Sequence, residues 1–401
     1  MLTRGEQRAL ALIWVLYLLR MLGLFMVLPI LGTLGEELNG ATPFLLGLAL
    51  GIYGLAQALL QIPFGIASDR LGRKKVLLAG FALFILGSLV CATAESALTL
   101  IIGRFLQGTG AVSAVLLALV ADQVSHRNRT IAMAIIGAAI GGSFGLSIVL
   151  GPLIAALYGG LQGVFALSAL AGLLALGLII FGIPAKTPAQ TQQNNESQEN
   201  QKPLTPGDSP LSPNLLRLNL GIFSLHAMQM CLWVVVPSIL VNELEIALEQ
   251  HWLLYLAVVG GGFLAMLPFL RMWDRAGRTH RALCAGIGSL LLAALLMAQH
   301  SAGTALFIIG LFSFFWGFNL LEATLPSTLT RLAATARTGA ATGIYSTCQF
   351  MGVFCGGAAG GWLLTQFSPA AVFHAAATLA GLWLALMLPA RGIDRRPLDT
   401  P

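Results

Sequence analysis

The chain has 401 residues; 57% are apolar, and only 22 Lys or Arg and 16 Asp or Glu carry charge. Soluble domains carry about 25% charged residues, so a charged share of 9% excludes a water-soluble enzyme. The net charge of +6 does not indicate nucleic-acid binding, because the basic residues are scattered in small groups between apolar runs and form no stripe.

A hydrocarbon core about 30 Å thick takes about 20 apolar residues per helical crossing. In chain order the apolar runs predict spans over 9–32, 43–67, 75–94, 97–121, 130–157 and 161–183, then 215–241, 250–271, 281–299, 303–329, 338–365 and 369–389. The first run is too long for a signal-peptide core and is expected to be kept as a span. The expected fold is therefore all-α and integral to the membrane: twelve transmembrane helices in two six-helix bundles, 1–184 and 214–389. A cytoplasmic tail follows over 390–401. The connector 185–213 is rich in Gln, Asn, Ser, Glu and Pro and cannot bury apolar area, so it is expected to be a disordered linker.

Twenty of the 22 basic residues fall on alternate loops of that count, among them Arg4, Arg8, Lys74, Lys75, Arg271, Arg281 and Arg331. The opposite loops hold Glu36, Glu37, Glu95, Glu243, Glu245 and Glu249 and no Lys or Arg. The positive-inside rule then places both termini and the connector in the cytoplasm. A repeat supports the two halves. Asp69-Arg70-Leu71-Gly72-Arg73 follows span two, and Asp274-Arg275-Ala276-Gly277-Arg278 follows span eight, 205 positions later. Two parallel six-helix halves are a transporter architecture.

The string from Gly65 through Asp69, Arg70, Gly72 and Arg73 to Lys75 resembles the G-x-x-x-D-R-x-G-R-K signature of the major facilitator superfamily, and the resemblance runs from span one to span twelve. Arg104 to Gly108 is similar to its R-x-x-Q-G motif. Leu150-Gly151-Pro152 is similar to the G-P element of its antiporter branch, with Ser147 where a glycine is usual. Arg20–Pro29, Phe318–Ser327 and Tyr345–Gly352 resemble a group of drug:proton antiporters within the superfamily. That group's further soluble domain after the last span has no counterpart up to Pro401, and its role is not carried over. The resemblance implies a bacterial-type inner membrane and a cavity lined by helices one, four, seven and ten.

Charged residues inside spans cost about 2.5–3.5 kcal/mol each at mid-bilayer on the insertion scale, so each needs a reason. On the resemblance, Arg20, Arg104, His226 and Glu322 face the cavity. Glu322 is a candidate proton-carrying carboxylate or, alternatively, half of a permanent ion pair with Arg20 or Arg104. His226 is a candidate relay or a packing residue, and Arg20 a candidate anion contact or a structural partner. Tyr53, Gln57 and Gln61 repeat every four residues and share one helix face, as do Gln229 and Trp233. With Gln107, Asn319 and Gln349 they form the expected polar cavity lining, or else an interhelical hydrogen-bond set. The resemblance further implies a conformational latch of Gly65, Asp69, Arg70, Gly72, Arg73 and Asp122, with Gly343 allowing close approach of span eleven.

Gly141-Gly142-Ser143-Phe144-Gly145 matches a hydrolase pattern, but it lies within a helix and lacks the preceding strand that pattern needs. Its glycines with Gly137, and Gly352, Gly356 and Gly360, are expected to serve close helix packing. Five cysteines without metal-ligand spacing and no Walker A sequence leave no metal, no cofactor and no ATP in the expectation. The expected function is proton-driven export of a small amphipathic compound by a monomer whose partners are substrate, protons and lipid. The rivals are uptake or symport of an anionic solute, and a non-transporting membrane sensor or scaffold.

Overall fold

The computed structural model describes residues 2–125, 128–183, 212–333, 338–390 and 393–394. Most of the expected connector, the tail beyond 394, and Arg127, Lys186, Lys202, Arg337, Arg391, Arg395 and Arg396 lie outside the described residues. The chain divides into two compact units, Met1–Lys202 and Pro203–Pro401.

The first unit contains helices α1 (Arg4–Phe25), α2 (Pro43–Leu71), α3 (Arg73–Ala92), α4 (Ala97–Thr109), α5 (Ser113–Gln123), α6 (Arg129–Leu157) and α7 (Gly160–Gly182). The second contains α8 (Pro213–Asn242), α9 (Gly261–Arg275), α10 (Thr279–Met297), α11 (Thr304–Leu332), α12 (Thr338–Gln366) and α13 (Pro369–Met387). Among the described residues, eleven stretches are long and apolar enough to cross a membrane. The twelfth expected crossing, α12, is 29 residues long but diluted by Gly, Ser, Thr and Gln.

Three expected spans are not single helices. Span one stops at Phe25; Met26–Ile30 turn before a short helical segment, Leu31–Leu34. Pro29 has no N–H to continue the ladder and disfavours helical backbone at the residue before it. Gly151 fits against this break: a Cβ there would collide with the Met26 carbonyl oxygen. Span four breaks at Gly110–Val112, between α4 and α5. There Gly110 meets the Gly80 carbonyl of α3, an approach no side chain would permit. Span eight reaches α9 through a short helix, His251–Tyr255, and a π-turn, Leu256–Gly260.

The glycine stripes differ. In α12, Gly352, Gly356 and Gly360 lie against Phe223, Ala227 and Cys231 of α8, and the first two would strike backbone carbonyls if substituted. In α6, nothing lies within 4 Å of a Cβ built on Gly137, Gly141, Gly142 or Gly145. Within their own unit, and among the described residues, these four glycines make no close helix contact, because equal spacing aligns residues on one face without supplying a neighbour to it.

Candidate functional site

In the first unit the R-x-x-Q-G string staples three helices. Arg104 donates through Nε to the Ala49 carbonyl of α2 (3.2 Å) and through Nη1 to Gln107 Oε1 (2.5 Å). Its guanidinium lies 4.5 Å from the centre of the Tyr53 ring, a cation–π contact. Gln107 donates to Ser88 Oγ on α3 at 3.0 Å. Gly108, one residue on, packs on the backbone of Tyr53, where a Cβ would stand 2.5 Å from the Tyr53 oxygen.

Arg20 of α1 serves the break in span four. Nη1 donates to Ser113 Oγ (2.7 Å), Nη2 reaches the Gly110 carbonyl (3.4 Å), and Tyr17 Oη donates to the Ser113 carbonyl (2.8 Å). The guanidinium and the phenol thus each bond a carbonyl beside the break, Gly110's and Ser113's. Among the described residues, Arg20 Nε and Arg104 Nη2 are buried without a hydrogen-bond partner, as are both amide atoms of Gln57.

These residues, expected along the cavity, are buried side chains in this structure. Arg20 and Arg104 are 1% and 0% exposed, and Tyr53, Gln57, Gln61 and Gln107 are buried with them. Gln229 and Trp233 are buried in the second unit, where the Trp233 ring packs against Tyr255 (5.4 Å) and Phe315 (6.0 Å). A polar or charged group inside an apolar bundle is driven to the nearest carbonyls, hydroxyls and ring faces, and helix periodicity does not reveal where those lie.

The second unit holds a different centre. His226 of α8 has Nδ1 3.2 Å from the Ile222 carbonyl and Nε2 2.9 Å from Gln349 Nε2 on α12. With the Gln349 amide placed this way, its Nε2 donates to the imidazole Nε2, and Nδ1 donates to the Ile222 carbonyl. The α8–α12 packing sets this contact. Gln349 lies one turn before Gly352, and His226 one turn after Phe223, on which Gly352 packs.

Glu322 of α11 places Oε2 4.0 Å from His226 Nε2. That oxygen is buried without a hydrogen-bond partner, although the side chain as a whole is 38% exposed. Phe318, one turn earlier, meets the His226 ring edge-on at 5.9 Å. Tyr345 of α12 is within electrostatic reach of Glu322, and its hydroxyl is also buried without a partner. Asn319 and Gln349 keep partial exposure.

The residues expected as a latch come together within the first unit. Gly72 turns the chain between α2 and α3 at φ +93°, a conformation that favours glycine. Arg73 bonds Asp69 (2.5 Å), Ser68 Oγ (2.5 Å) and Asp122 at the end of α5 (3.1 Å). Gly65 supplies the carbonyl that Ser68 Oγ donates to at 2.7 Å, and Arg70 is exposed. In its own unit nothing lies within 4 Å of a Cβ built on Gly343.

Several contributors were invisible to motif reading. Tyr17 and Ser113 belong to no pattern, and Ser68 and Tyr345 fall inside the motif strings without a role read from them. Glu6, buried at the start of α1, accepts from the N–H of Thr3 (2.8 Å), the N–H of Ser125 (2.8 Å) and Asn128 Nδ2 (3.0 Å), tying the chain's start to the segment after α5. Its capping-box position, Thr3 three residues before Glu6, was the available signal.

A family model described as Major Facilitator Superfamily matches residues 13–219 and 218–401. The inner membrane transport protein YajR of Escherichia coli K12 is 37% identical over 384 residues, covering 96% of this chain and 83% of YajR. Multidrug resistance protein MdtL of Shigella dysenteriae is 32% identical over 198 residues, 47% of this chain and 48% of MdtL. Among solved structures, the human organic anion transporter MFSD10 is similar with a TM-score of 0.66 over 96% of this chain and 100% of that one; at 20% identity this is a likeness of fold.

Proposed function

Since this chain belongs to the major facilitator superfamily and is a multi-pass membrane transporter of a small-molecule substrate, we propose that it exports an amphipathic compound in exchange for protons. The observation that carries the proposal is the placement of Glu322 and His226. An imidazole and a carboxylate stand 4.0 Å apart, and the imidazole nitrogen facing the carboxylate is occupied by an amide donor. In this arrangement His226 holds no proton on Nε2. When Nε2 takes one, the Gln349 amide must turn to offer its oxygen, and the imidazolium then faces the Glu322 carboxylate as a charge partner.

One proton therefore changes the charge of the pair and the orientation of an α12 side chain together, which is how a proton biases a two-state element. Glu322, partly exposed, is the entry point. The proton gradient serves as the energy source, without cofactor, in a monomer of the inner membrane with both termini cytoplasmic. Asp69, Arg73 and Asp122 act as the latch that is remade in each cycle. The reading as an anion importer is less well supported, because Arg20 and Arg104 are spent on neutral groups of their own unit.

The test is ethidium flux in proteoliposomes under an imposed pH gradient. Glu322→Gln is expected to lower gradient-driven flux by about tenfold or more, equivalent to at least about 1.4 kcal/mol of barrier, at unchanged protein yield. Flux equal to the parent's removes Glu322 from the coupling. Flux of a fluorescent carboxylate in place of ethidium, lost on collapsing the gradient, restores the anion reading.

A further inference from the structure

Helix α13 ends at Met387, but two residues beyond it are fixed against the second unit. Ile393 is fully buried. Its carbonyl accepts a hydrogen bond of 2.6 Å from Arg331 Nη2, in the last turn of α11, and the same nitrogen lies 3.5 Å from Thr279 Oγ1 at the start of α10. Asp394 Oδ1 accepts the backbone N–H of His280 at 2.8 Å. That N–H belongs to the first turn of α10 and has no partner inside the helix. The His280 ring in turn donates from Nε2 to the Met387 carbonyl at 2.9 Å. Cys284, one turn into α10, has its sulfur 3.7 Å from that nitrogen.

We propose that Ile393–Asp394 is a strap: a piece of the chain's own tail that fills a socket on the second unit and binds the ends of α10, α11 and α13 into one block. Each part of the socket matches the occupant. A helix N-terminus favours a carboxylate over a neutral group, a guanidinium takes a carbonyl oxygen as a charge-assisted partner, and an apolar recess takes the isoleucine.

The strap also answers a difference between the two D-R-x-G-R repeats. In the first unit the acid at the end of the partner helix is Asp122, which holds Arg73. In the second unit the corresponding helix ends in a base, Arg331. The strap brings acceptors to this end of the unit from beyond α13: a carbonyl to Arg331 and a carboxylate to the first turn of α10.

The experiment uses the full-length protein in detergent micelles, with two readouts independent of transport. One is hydrogen–deuterium exchange of the 279–284 peptide. The other is maleimide labelling of Cys284, read by mass spectrometry. Asp394→Ala removes the acceptor and is expected to speed exchange and labelling by about tenfold, as local opening becomes easier. Asp394→Asn keeps an acceptor at a position where Asn caps as well as Asp and is expected to stay within about twofold of the parent. Ile393→Ala, which leaves Asp394 intact, is expected to raise Cys284 labelling by severalfold.

Parent-like exchange and labelling in both alanine variants overturn the strap. Equal loosening by the Asn and Ala variants at position 394 overturns the hydrogen-bond assignment. Either failure leaves the proton-coupled reading standing, because neither readout involves Glu322 or a substrate.

Discussion

The two units treat their buried charge in opposite ways. In the first, two arginines are sealed from solvent and surrounded by carbonyls, a hydroxyl, an amide and a phenol ring; each retains one guanidinium nitrogen with no hydrogen bond among the described residues. Guanidinium does not lose its proton in proteins, so this is fixed charge, placed where a helix is broken and where three helices cross. In the second unit the groups are an imidazole and a carboxylate, which gain and lose protons within the ordinary range, and the carboxylate is partly open. Taken with the proposed function, the contrast assigns scaffolding to one half and proton handling to the other. It also explains why charges of similar cost to insert are found in both.

The sharpest way to break this contrast is Arg104→Leu. The Ala49 carbonyl and Gln107 Oε1 lose their donor, and the Tyr53 ring loses its cation. Stranding buried neutral acceptors in this way is expected to cost about 1–3 kcal/mol each, read as a drop in thermal unfolding temperature in detergent. Arg104→Lys keeps the charge but not the fork and is expected to fall between. If Arg104→Leu unfolds like the parent but no longer transports, the first unit is not a fixed-charge scaffold. A smaller effect is expected in the second unit. Gln349→Leu deletes the donor to His226 Nε2 and is expected to lower gradient-driven flux by about tenfold while leaving unfolding temperature nearly unchanged. Parent-like flux makes His226 a packing residue and ends the assignment of roles by unit.

The apolar runs and the alternation of basic and acidic loops were enough to read a twelve-span superfamily architecture, because crossing a bilayer demands long stretches of one composition. The breaks at Met26–Ile30 and Gly110–Val112 were not legible, since hydropathy is the same on both sides of each. At the candidate site, the residues with a chemical reason to be noticed, Glu322, His226, Arg20 and Arg104, stood out as rare ions in apolar runs. The pairings they make did not. Ser113 is one serine among many, and Gln349 reaches His226 only through the register of α8 against α12, which depends on which glycines meet which carbonyls. Gly352 and Gly141 have the same small-residue spacing, yet one touches a neighbouring backbone and the other touches nothing.

The mildest test concerns the latch. Arg73 holds two carboxylates, and they are unequal: Asp69 is 58% exposed, Asp122 only 17%. An exposed pair contributes about 0–1 kcal/mol, so Asp69→Asn should leave unfolding temperature almost unchanged. Its expected effect is on rate, about two- to fivefold slower ethidium flux, because a latch acts through the difference between two states and not through the stability of one. Asp122→Asn removes the less hydrated partner, the one that joins α5 to the start of α3, and is expected to slow flux more. The order of the two variants therefore matters more than either value. If Asp69→Asn is the slower, the carboxylate that counts is the solvent-facing one, and the buried Arg73–Asp122 contact is static support of the kind Arg104 provides deeper in the same unit.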